Sequence, residues 1–81
     1  MTVRVQFWSY FKDLAGCAET SVTLSDGASI ADLLRAVYAR FPKLAAAEKS
    51  TLIAVGVDYQ PRDHRLKDGD ELSLFPPVQG G

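Results

Sequence analysis

Cysteine, histidine and long apolar runs are all scarce in this sequence, and each scarcity excludes something. Cys17 is the single cysteine, so there is no internal disulfide and no Cys-x-x-Cys metal or redox pair. No histidine or lysine adjoins it, so nothing there argues for an activated thiolate. His64, the single histidine, lies in PRDHRL and cannot build a metal site alone. No stretch approaches the ~18 apolar residues of a membrane span, and the opening MTVRVQFWSY alternates where a secretory leader would run apolar. No membrane association is expected, and the cytoplasm is the expected compartment. Charge of one sign is missing too: nine basic residues face ten acidic ones, for a formal net charge of −1. Binding through phosphate neutralisation needs a basic stripe, and the local enrichment RDHRLK at 62–67 reads as a solvated loop, so no nucleic-acid partner is expected. A GxxxxGK phosphate loop and an HExxH helix are absent. Asp63, Asp68, Asp70 and Glu71 cluster near a turn, where acids serve hydrogen bonding more often than catalysis. No self-sufficient active site, bound cofactor or metal is expected.

What is present is enough for one small core. With 81 residues, only about 60% of the unfolded chain's surface can be hidden, which leaves little room for an internal cleft. An apolar fraction of 47% suffices to fold without staples. In VRVQFWSY, Val3, Val5 and Phe7 share one side of an extended chain and Arg4, Gln6, Trp8 and Tyr10 the other. ETSVTLSDG places Val22 and Leu24 on one face and breaks at Asp26-Gly27. The intervening FKDLAGCA is read as the turn of a first hairpin.

The helical pattern is the strongest periodic feature. Ser29 and Asp32 form a capping-box pair with aspartate in the usual glutamate position, and Ile30, Leu33, Leu34, Val37 and Phe41 follow on one face. Pro42 ends the helix at Phe41. KLAAAEK is read as a further helical turn. TLIAVGVDY is read as a buried strand with Gly56 at a bulge or close backbone approach. One short strand at most is expected around 60–66, then the Lys67-Asp68-Gly69-Asp70 turn and a last strand from Glu71 to Phe75. One amphipathic helix covers one face of a four- or five-stranded mixed sheet, which predicts an α+β, β-grasp architecture over residues 1–75 with a tail at 76–81.

That arrangement leaves the other sheet face uncovered. If Val3, Val5 and Phe7 point at the helix, Trp8 and Tyr10 point away from it. Leu72 and Leu74 on the core side send Ser73 and Phe75 to the open side, with Tyr59 as a neighbour. An aromatic patch of this kind is either a protein interface or a small secondary core under the loops.

The tail FPPVQGG carries the chemistry. Pro76 and Pro77 cannot donate to a ladder and both fix φ, so the strand ends at Phe75 and the chain leaves stiff and extended. Six residues at about 3.1 to 3.5 Å each reach roughly 20 Å, enough to enter a partner's active site. Gly80 and Gly81 make the end thin. Its carboxylate is ionised at neutral pH and a poor electrophile, so acyl chemistry at Gly81 requires outside activation. A frayed end is the plainer alternative.

LKDGDELSLFPPVQGG, the turn, last strand and tail, together with the opening VRVQFWSYFKDLAG, resembles the ubiquitin-like sulfur carriers of the ThiS/MoaD family along nearly the whole chain. The Phe-Pro-Pro-Val lead-in to Gly-Gly is most similar to the MoaD type, the small subunit of molybdopterin synthase; thiamine-pathway carriers rank second. The resemblance implies that an E1-like enzyme adenylates Gly81 with ATP and that a sulfur donor protein converts it to a thiocarboxylate. The large subunit of molybdopterin synthase then receives Pro76, Pro77, Val78, Gln79, Gly80 and Gly81, and the sulfur builds the molybdopterin dithiolene. The family's assembly is a heterotetramer, and Trp8, Tyr59 and Phe75 match its apolar interface. Gly56 departs from the asparagine frequent in relatives. A ubiquitin-like protein modifier and an interaction module with an inert tail stand as alternatives.

Overall fold

Alternation along the first strand sets the frame, because every second side chain of a strand must share a face. In the computed structural model, which describes residues 1–77, β1 (Thr2–Phe7) buries Val3, Val5 and Phe7 and turns Thr2, Arg4 and Gln6 outward. A short helix α1 (Phe11–Ala15) follows, then β2 (Glu19–Thr23). β2 runs antiparallel to β1 with Val3 opposite Val22.

The long helix α2 (Ile30–Arg40) begins where the sequence places it. The Ser29 hydroxyl accepts from the Asp32 backbone N–H, and the Asp32 carboxylate accepts from the Ser29 backbone N–H at 2.9 Å, a reciprocal capping box. Ile30, Leu33, Leu34 and Val37 are buried. Phe41 caps the C-terminus, its ring edge-on to Phe7 at 5.3 Å. Pro42 closes α2 and opens the one-turn helix α3 (Pro42–Ala45), where its missing N–H costs nothing. A 3₁₀ turn at Glu48–Ser50 leads into β3 (Leu52–Val55), β4 (Asp58–Tyr59) and β5 (Glu71–Phe75).

The five strands form one mixed sheet in the order β2-β1-β5-β3-β4, with β1 and β5 parallel at its centre. The two central strands are buried most completely on the helix side: Leu72 and Leu74 of β5 pack with Val5, Phe7 and the α2 face in one core. Each such side chain contributes about 1.5–3 kcal/mol by leaving water. Helices thus lie on one face, and the β-grasp expectation holds.

Three local expectations are corrected. FKDLAGCA is no simple hairpin turn: Phe11 is buried and Leu14 packs at the core's edge, so the segment winds into α1 and ends on Gly16 at φ +78. TLIAVGVDY is not one strand. It folds back through Gly56-Val57, with Val55 opposite Asp58, as a two-residue hairpin. Gly56 sits at φ +62 with open space around its Cα, so it serves the turn rather than a close approach. The expected strand near 60–66 reduces to an isolated bridge between Ser29 and Arg65, and β4 lies just before it.

Candidate functional site

The register of the sheet determines what gathers on its uncovered face. β3 and β5 pair with Leu52 opposite Phe75 and Ala54 opposite Ser73, and β4 sets Tyr59 opposite Ala54. Directly paired residues share a face, so Phe75, Ser73, Leu52, Ala54 and Tyr59 all lie opposite the core. Trp8 joins them from β1. Its backbone N–H donates to the Leu74 carbonyl at 3.1 Å, carrying the parallel ladder one residue past the strand and putting Trp8 beside Phe75.

Trp8, Ala54, Tyr59, Ser73 and Phe75 line an open groove of about 420 Å³, with Trp8 and Phe75 at one end and Gly56 and Val57 at the other. The Tyr59 and Phe75 rings meet edge-on at 5.6 Å. Trp8 is 49%, Tyr59 67% and Val57 94% exposed, although aromatic and branched side chains of this size normally seek burial. Phe75 is half-buried while Trp8 and Tyr59 stand open, so the rings do not close a secondary core under loops. Trp8, Tyr59 and Phe75 are therefore brought together as expected.

Tyr10 is not with them. Ser9 takes φ +56, a left-handed backbone rare outside glycine, and turns the chain into α1. Tyr10 becomes the residue before that helix, its ring edge-on to Phe11 at 5.3 Å, so the strand alternation does not extend to it. In its place the site gains Val57 and Ala54. Val57 was hidden from sequence reasoning because a continuous strand was expected across it; Gly56 was the signal for a hairpin tip.

β5 stops at Phe75, and Pro76 and Pro77 follow outside the ladder. The tail thus leaves from the Trp8–Phe75 end of the groove. Val78, Gln79, Gly80 and Gly81, the rest of the expected tail, lie outside the described residues.

The other titratable candidates have structural employment. Asp68 accepts from the Thr2 N–H and Asp70 from the Lys67 N–H, both at 2.8 Å, fixing the turn before β5. His64 is half-buried, and its bonds are those of its backbone: the main-chain N–H donates to the Pro61 carbonyl and the main-chain carbonyl accepts from the Ile30 N–H. Arg62 and Arg65 each donate to a backbone carbonyl, of Glu48 and Gly27. Cys17 is half-buried against the core. Bonds from the Ser29 backbone N–H, and then from its hydroxyl and Arg35, hold the Asp32 carboxyl below the usual aspartate value against a smaller opposing effect of desolvation. Among the described residues no group of three or more His, Cys, Asp or Glu could hold a metal ion, and no helix is long and apolar enough to cross a membrane.

A one-sided mixed sheet with a parallel central pair, packed against one long helix, defines a ubiquitin-like β-grasp protein. Comparison with known proteins makes this specific: the ThiS family matches residues 5–81, and the chain belongs to that family. The molybdopterin synthase sulfur carrier subunit of Chlamydomonas reinhardtii is 36% identical over 83 residues, covering all of both chains. A putative molybdopterin converting factor subunit 1 from Pyrococcus furiosus superposes with a TM-score of 0.89 at 32% identity, over 96% of this chain and 99% of that one. A complex of subunits 1 and 2 of the molybdopterin-converting factor from Helicobacter pylori contains a chain matching at TM-score 0.70 and 28% identity, with full coverage of both.

Proposed function

We infer that this protein is the sulfur carrier subunit of molybdopterin synthase, delivering sulfur on Gly81 for the dithiolene of molybdopterin in molybdenum cofactor biosynthesis. The observation that carries the reading is the exit of the tail from the Trp8–Phe75 end of the apolar groove, because it couples docking to delivery. A partner that covers the groove necessarily meets Pro76 and Pro77 as they leave the sheet. The likeness to a chain from a complex of the converting factor's two subunits supports the same partner, the large subunit; the heterotetramer is what the family resemblance implies.

In this reading the Gly81 carboxylate attacks the α-phosphorus of ATP on an E1-like enzyme and expels pyrophosphate. Sulfur at the sulfide level, from a sulfur donor protein, then attacks the acyl carbon and expels AMP, leaving a thiocarboxylate. ATP belongs to the activating enzyme, and this chain binds no cofactor. In the large subunit, Pro76 and Pro77 hold the tail extended while Val78, Gln79 and Gly80 pass along the channel to Gly81. The thiocarboxylate sulfur attacks the pterin precursor; water then attacks the acyl carbon, breaks the carbon–sulfur bond, leaves the sulfur on the pterin and returns the carboxylate.

Deleting Gly81 is the direct test of the reacting group. The truncated protein should keep its thermal midpoint and its affinity for the large subunit while sulfur transfer falls to background. Wild-type transfer rates in the truncated protein would overturn the reading.

A further inference from the structure

The open face is not uniformly apolar, and its charged half borders the groove. Arg4 on β1 lies opposite Glu71 on β5 and Ser21 on β2, with Glu19 two residues before Ser21 on the same face. Its guanidinium donates to the Glu19 carboxylate at 2.8 Å and stands 3.8 Å from that of Glu71. One cation thus serves two half-exposed carboxylates, and the trio keeps a net charge of −1.

The two carboxylates are not equally engaged. Glu19 holds a short charge-assisted hydrogen bond, whereas the Glu71 contact lies beyond hydrogen-bond distance. Among the acids 68, 70 and 71, Asp68 and Asp70 are committed to backbone N–H groups. Among the described residues, Glu71 is the acid of that run whose side chain accepts no hydrogen bond. It also lies next to the groove: its backbone carbonyl accepts from the N–H of Gly56, a groove residue, at 2.8 Å, and Ser73, two residues on and on the same face, lines the groove.

We propose that Glu71 receives a lysine or arginine of the partner at the groove's far border and sets the register of docking along β5. This rests on the groove being the docking surface for the large subunit. Apolar contact is non-directional, so the groove alone would tolerate sliding along the strands and other apolar partners. The tail fixes one end of the contact at Phe75, and Glu71 lies about 13 Å away along β5, at four residues of about 3.3 Å each. Two fixed ends define a register. Arg4 keeps the Glu71 carboxylate on the open face yet leaves the trio negative, so the complementary group is a cation and not a carboxylate.

The test is the affinity of this protein for the large subunit from the same organism, measured between about 0.05 and 0.5 M NaCl. Wild type, Glu71→Gln, Glu71→Lys, Glu48→Gln and Trp8→Ala are compared. Glu48 lies on the helix side, so its variant controls for net charge. At low salt, Glu71→Gln should weaken binding roughly threefold to tenfold and flatten the salt dependence, Glu71→Lys should weaken it further, and Glu48→Gln should match wild type. Wild-type affinity and salt dependence in Glu71→Gln, or an equal loss in Glu48→Gln, overturns the proposal. If Trp8→Ala still weakens binding in that case, the docking surface stands and only the role of Glu71 falls. Wild-type binding by Trp8→Ala removes the docking surface, and the proposal with it.

Discussion

Trp8 and Val57 reach the same groove by different routes, and the difference explains what was legible residue by residue. Trp8 follows from a two-residue period that continues one step past β1, held by its bond to Leu74. Tyr10 was expected beside it by the same period, but the left-handed Ser9 breaks the alternation between them. Val57 is apolar, and a pattern rule that buries apolar residues reads it as core; only the hairpin at Gly56 puts it in solvent. Large rings at the centre of an interface carry most of its energy. In the proposed docking of the large subunit on this groove, Trp8→Ala should weaken binding at least about tenfold, roughly 1.4 kcal/mol, in a titration calorimeter. Its thermal midpoint should stay near wild type because the ring is not part of the core.

At the scale of elements, α2 was the most legible because three independent signals agree: the Ser29–Asp32 box, the buried stripe and Pro42. Ser29→Ala removes the acceptor for the Asp32 N–H and should cost about 1 kcal/mol in urea unfolding. The partner carboxyl adds a pH dependence whose sign follows from its lowered pKa. Stability from a depressed carboxyl is fully present above the ordinary aspartate range and is lost as pH falls through the lowered folded value. Asp32→Asn should accordingly lose less stability than wild type between neutral and strongly acidic pH; an identical loss would refute this assignment. α1 was illegible for the opposite reason. Its five residues are too few to display a helical period, and the contacts of Phe11 and Leu14 with the core decide its form. The β3–β4 hairpin was missed because a β-branched run on both sides of Gly56 looks continuous until pairing partners are known.

For the whole molecule, the economy of one amphipathic helix and a small core was enough to predict the one-sided sheet, since the sequence pattern offers one long apolar helix face to cover it. The strand order was not predictable from pattern, because a parallel β1–β5 centre depends on pairings about 67 residues apart in sequence. Sheet geometry places the exit of Pro76 and Pro77 at the Trp8–Phe75 end of the groove, the arrangement that the proposed carrier role uses. The central claim of the proposed function is that the reacting group is the carboxylate of Gly81. Intact mass of the protein after incubation with its E1-like enzyme, ATP and a sulfur donor tests it most directly. The account predicts a gain equal to exchange of one oxygen for sulfur, absent without ATP and absent when Gly81 is deleted. An unchanged mass under complete conditions, or the same gain in the protein lacking Gly81, would contradict it.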